Sequence, residues 1–195
     1  MVTLKPPNKV AIYYICRNMR EIDAKEIYPL HYHNNPLILT EETYHAMTLG
    51  KGLVIWVDGL PAALIGVHPE HGGKSCYRVF AFGTDDWKKA VFVCMRELRK
   101  MTREVIQEHG TMRMHADSHE DHKEAHEWMK RMNGKLESVM PYYGKNGETY
   151  HRYVWFRDDP SWKNQPGWQP FIEDIDICAE AAAQAWNPWN HTVDL

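Results

Sequence analysis

Histidine is the residue whose spacing here most invites a chemical reading. His109, His115, His119, His122 and His126 fall within eighteen residues of one another. His119, His122 and His126 share one flank of a helical pattern, and the last two have the i, i+4 spacing with which two imidazoles share a metal ion. Asp117 and Asp121 could add carboxylate ligands. The zinc signature H-E-x-x-H is absent, because Lys123 follows His122 and also stands where a second histidine would follow His119-Glu120. The plainer reading is a polar helix flank whose ring bodies lie against the edge of the core. A contact tuned by imidazole titration is a further alternative. No metal is therefore expected, with His119, His122 and His126 as the candidates if one binds.

The other chemical motifs are missing. Cys16, Cys76, Cys94 and Cys178 are scattered without a C-x-x-C pair, which fits reduced thiols in a reducing compartment. There is no G-x-S-x-G nucleophile elbow, P-loop or dinucleotide fingerprint. Arg96, Arg99, Lys100 and Arg103 form a basic stripe, but Glu97, Glu104 and Glu108 interleave with it, as on a solvated helix face. A net charge of −3 argues against a protein that coats nucleic acid. The N-terminal residues lack the apolar core of a signal peptide, and no stretch approaches the ~20 apolar residues of a membrane span.

The 195 residues are enough for one ordinary domain, and 44% hydrophobic with 25% charged residues is a globular balance. After two prolines, Val10–Ile15 reads as a first strand. Asn18 then caps a helix that ends at Pro29, and Thr40 opens a second helix closed by Gly50. Leu53–Val57 and Ala62–Val67 form a hairpin around Asp58-Gly59, both of which tolerate positive φ. Tyr77–Phe82 adds a strand. Thr84 or Asp85 caps a long helix to about His109, with Trp87, Ala90, Val91, Cys94, Leu98, Met101 and Val105 on one stripe. Met112–Ala116 is a strand, Ser118 caps a helix ended by Asn133-Gly134, and Leu136–Met140 with Tyr150–Phe156 close the series. Meander strands followed by crossovers imply an α/β domain with a mixed, mostly antiparallel sheet and helices on both faces.

That order of elements resembles the GNAT (N-acetyltransferase) fold. The hairpin Val54-Ile-Trp-Val-Asp-Gly-Leu-Pro-Ala-Ala-Leu-Ile-Gly-Val sits where GNAT proteins carry theirs. The stretches Phe82-Gly83-Thr84-Asp85, Phe92, Met95-Arg96 and Trp128-Met-Lys-Arg-Met-Asn-Gly134 resemble, more specifically, the internal virion protein family of T7-like short-tailed phages. The resemblance covers roughly residues 10–156. It implies a role in building or filling a phage particle, or an activity inside the host cytoplasm, with incorporation into the virion as one outcome.

The fold also implies a test for acetyl-CoA. GNAT enzymes cradle the coenzyme pyrophosphate on backbone N–H groups of a basic, glycine-rich loop opening the long helix. Phe82, Gly83 and Thr84 would be the binding residues here, but Asp85 and Asp86 follow. A unit charge ~4 Å from a like charge, at an effective dielectric near 20, costs about 4 kcal/mol before screening. Micromolar binding supplies only about 8 kcal/mol. The family's early asparagine in the following helix falls at His122 or Lys123, and its terminal tyrosine, a general acid, at Met129 or Lys130; Ala125 matches the small residue between. No cofactor and no assignable catalytic residue are expected, with acetyl-CoA and transfer to a host protein or small amine as the alternative.

The composition shifts after residue 157, which divides a domain at 1–157 from an extension at 158–195. The extension is turn-rich, with one short helix expected over Glu173–Trp186. Trp162, Trp168, Trp186 and Trp189 suit a docking surface for other phage structural proteins or a second copy, because one Trp buries much area at little entropic cost. They equally suit wrapping onto the domain itself.

Overall fold

A computed structural model describes residues 1–70, 73 and 75–157. The four tryptophans of the extension, its expected helix and the 157/158 boundary lie outside the described residues or at their edge.

The chain opens on a strand, β1 (Val2–Lys5), then three helices, α1 (Lys9–Arg17), α2 (Glu21–Ile27) and α3 (Pro36–Leu49), with a 3-10 turn at Tyr28–Leu30 between the last two. Strands β2 (Lys51–Val57), β3 (Leu60–Pro69) and β4 (Cys76–Gly83) form a meander, followed by α4 (Trp87–His109), β5 (Arg113–His119), α5 (Lys123–Arg131), β6 (Lys135–Met140) and β7 (Tyr150–Phe156). The seven strands make one sheet in the order β1-β2-β3-β4-β5-β7-β6, antiparallel throughout except for β4 against β5. Helices α1 and α3 pack on β3, and α4 crosses β2, β3 and β4. The expected α/β architecture is the observed one.

From the hairpin onward the elements fall close to where periodicity puts them, apart from the junction of β5 and α5. Asp58 (φ 50°) and Gly59 (φ 88°) make the turn between β2 and β3, and Gly110 (φ 64°) ends α4 in the left-handed conformation. The first fifty residues differ. Val10–Ile15 is helix, not strand: the Asn8 side chain accepts the Ala11 N–H as an N-cap, and Ala11, Ile12, Ile15 and Cys16 bury one helical face. Asn18 closes α1, its side-chain amide donating to the Tyr14 carbonyl. The third helix starts four residues before Thr40, at Pro36, with Asn35 accepting from Leu37 N–H. Ser118 belongs to β5, and His122 stands at the N-cap of α5.

The parallel pair is brief. Cys76, Tyr77 and Arg78 face Arg113, Met114 and His115, and no pairing joins the strands beyond. β4 continues beside β3 to Gly83, and β5 beside β7 to His119. The sheet therefore forks, and unpaired backbone polar groups in its cleft need partners.

Candidate functional site

Helix α2 lies across the open end of this fork. On the β4 arm, Asp23 Oδ2 accepts the Gly83 N–H at 2.9 Å, and the Arg20 N–H donates to the Gly83 carbonyl at 2.9 Å. On the β5 arm, one turn further along α2, Glu26 Oε2 accepts from the Ser118 hydroxyl, from the His119 N–H at 3.0 Å and from His122 Nδ1 at 2.9 Å. The Tyr150 hydroxyl, from β7, donates to the Glu26 carbonyl at 2.6 Å. Residues three apart on a helix share a face, so Asp23 and Glu26 reach both arms. All of Asp23, Glu26, Ser118 and His122 are buried.

Buried carboxylates stay charged only where partners replace water. Burial pushes Asp23 upward, and it is opposed by the Arg20 guanidinium, which holds both carboxylate oxygens at 2.7 and 2.9 Å. Burial alone would lower His122, but the hydrogen bond and charge of Glu26, with Asp23 behind it, win and hold its pKa above the ordinary value. The resulting pair, an imidazolium against a carboxylate, ties the start of α5 to α2.

The mouth of α4 is built on the same residues. Only Thr84, Asp85 and Asp86 separate β4 from the helix. Thr84 N–H donates to the Ala62 carbonyl, its own carbonyl takes the Trp87 N–H, and its hydroxyl accepts the Asp86 N–H. Trp87 is buried, with the Arg20 guanidinium 4.9 Å over its ring and Trp128 edge-on at 6.4 Å. Of the three residues named for a coenzyme, Phe82 packs into the core beneath α1 and α3. Gly83 is wedged so that an added Cβ would sit 2.5 Å from the Ala62 carbonyl oxygen. Thr84 is buried in the turn. Asp86 pairs with Lys89 at 2.9 Å.

The three candidate metal histidines are distributed. His122 is committed to Glu26. His126 stacks on His151 with ring centroids 4.6 Å apart, and burial, then the His151 charge, lowers its pKa to about 4. His119 meets Tyr150 edge-on and accepts the Asp121 N–H at Nδ1. Among the described residues, donor groups with ligating spacing occur elsewhere, at His31, His33 and Glu42 and at Glu70, Cys76 and His115. The basic stripe is also paired differently than expected: Glu104 and Glu108 both take Lys51 of β2 at 2.8 Å, and Arg99 reaches the Arg131 carbonyl.

Sequence reasoning missed Asp23 and Glu26. Their signal was two carboxylates at i, i+3 in a seven-residue helix, which reads as an ordinary acidic first turn. The partners that give them meaning lie 60 and more residues away.

No family model matches the chain, and no curated protein matches it by sequence. Solved structures do. An N-acetyltransferase from Staphylococcus aureus Mu50 has a TM-score of 0.63 at 10% identity, covering 80% of this chain and 98% of its own. A GNAT-family acetyltransferase from Bacillus anthracis has a TM-score of 0.60 at 11% identity, covering 80% and 94%. A Salmonella typhimurium structure named as an acetyltransferase with its cofactor acetyl-CoA has a TM-score of 0.62 at 13% identity, covering 82% and 95%. The described domain has the GNAT acetyltransferase fold.

Proposed function

We propose that this chain uses the GNAT fold as a binding scaffold, in which α2 occupies the ground a coenzyme would need, and that it acts through protein contacts in phage assembly. The observation that carries the reading is the clamp itself. The Gly83 and His119 N–H groups at the open end of the fork, the natural donors for an inserted ligand, are taken by Asp23 and Glu26. The helix mouth that would hold a diphosphate presents Asp85 and Asp86 on a three-residue connection with no glycine, and its Trp87 amide already has an acceptor. A coenzyme would have to displace two buried carboxylates and then approach two more.

The phage assignment rests on the sequence resemblance, and the docking role falls to Trp162, Trp168, Trp186 and Trp189 of the extension. The competing reading, acetyl transfer to a host protein or small amine, is favoured by one observation: the fold is shared with a structure named with its cofactor acetyl-CoA. Mass spectrometry of purified particles and of cells producing the protein separates the two. The scaffold reading expects the chain in particles, its loss from them when Trp186 and Trp189 become alanine, and no new lysine acetylation. Host lysines that gain acetyl groups only when the protein is present would overturn it.

A further inference from the structure

At the closed end of the fork, on the sheet face that does not carry α4, β4 and β5 bring together a different set of donors. Cys76 opens β4, His115 stands one residue beyond the point where β5 faces Tyr77, and Glu70 follows directly on β3. Their ligand atoms all lie within 4.8 Å of one another. Cys76 Sγ is 3.8 Å from His115 Nδ1. His115 Nε2 is 3.2 Å from Glu70 Oε2, yet off the line that a hydrogen bond requires, so this buried nitrogen has no hydrogen-bond partner. His115 is 1% exposed, while Cys76 is half-buried.

We propose that Glu70, Cys76 and His115 form a site for a soft divalent cation of the zinc class. Thiolate, imidazole and carboxylate are its three donor types, with bonds of about 2.3 Å to sulfur and 2.0–2.2 Å to nitrogen and oxygen. One ion takes one imidazole nitrogen, and a donor atom from each of the three residues lies within 4.8 Å of the other two. The fixed β4–β5 register supplies the preorganisation, and the unsatisfied imidazole supplies the reason an ion would be favoured there.

Nearby positive charge does not cancel this. Arg152 is held by Asp117 through two hydrogen bonds, at 2.6 and 2.8 Å, and Arg113 by Glu137 through two at 2.6 Å. Arg78 bonds Glu70 Oε1 at 2.8 Å, and Glu70 Oε2 lies 3.2 Å from His115 Nε2. The arginines orient the acidic groups and are themselves neutralised. The other candidate cluster is less apt: His33 Nδ1 accepts the Asn35 N–H, so its Nε2 carries the ring proton and donates to Glu42 instead of ligating.

Cobalt(II) titration of the reduced full-length chain tests the site through the thiolate-to-cobalt charge-transfer absorption, which needs a cysteine ligand. The expected result is saturable absorption, displaced by zinc, lost in Cys76→Ser and His115→Ala, and weakened by at least about tenfold in Glu70→Gln, since loss of a ligand costs no less than loss of a group that only orients one. Should a variant fail to fold, zinc protection of wild-type Cys76 from iodoacetamide, read by peptide mapping, gives the same answer. No absorption at millimolar cobalt, absorption unchanged in a folded Cys76→Ser chain, or Cys76 alkylation indifferent to zinc would each overturn the assignment.

Discussion

Three donors converge on one oxygen of Glu26: the Ser118 hydroxyl, the His119 N–H and the His122 ring. A glutamine in its place brings N–H groups toward donors and removes the charge that holds His122 protonated. Breaking a buried, hydrogen-bonded charge pair costs several kcal/mol, so Glu26→Gln should lower stability by about 2–4 kcal/mol in urea denaturation. A change below about 0.5 kcal/mol would mean that the clamp does not hold the fork. His122 gives the clamp a pH dependence of definite sign. Its folded pKa is raised, so its contribution is complete below the ordinary histidine value and fades as pH climbs through the raised one. The stability gap between wild type and His122→Gln should therefore be larger at pH 6 than at pH 8.5. His126 works in the opposite sense, since its lowered pKa makes acid destabilising below the ordinary histidine range. At this scale the sequence offered His122 as chemically interesting, but for a metal and not for a carboxylate 96 positions away.

At the scale of elements, the short connection between β4 and α4 decides what the helix mouth can accept. Gly83 closes it: its N–H binds Asp23 of α2 and its carbonyl binds Arg20 at the N-cap of that helix, and the chain passes against Ala62 and Trp87 too tightly for a side chain. Gly83→Ala should destabilise the fold by about 1–3 kcal/mol, the usual cost of forcing volume into a packed site, checked by thermal melting. A neutral outcome would show that the strand end is looser than described. Legibility in the sequence follows the same division. The β2–β3 turn, the α4 stripe and its Gly110 stop were readable because their signals are local. Helix α1 was not, because six apolar residues suit a buried strand as well as a helix face, and the deciding Asn8 cap precedes the run. Nor was the reach of α2, since a seven-residue helix shows too few residues for its buried face to declare itself.

For the whole molecule, the element order pointed to the GNAT fold and the structure carries it, with helices on both faces of a forked seven-stranded sheet. Among the described residues no helix is long and apolar enough to cross a membrane. What element order could not convey is whether the fork stands open, because that depends on two side chains bridging strands distant in sequence. Occupation of the fork from within should keep a coenzyme out. Isothermal titration of the full-length protein with acetyl-CoA addresses this most directly. No heat of binding is expected at micromolar to submillimolar ligand. A micromolar dissociation constant, worth about 8 kcal/mol of binding free energy, would contradict it.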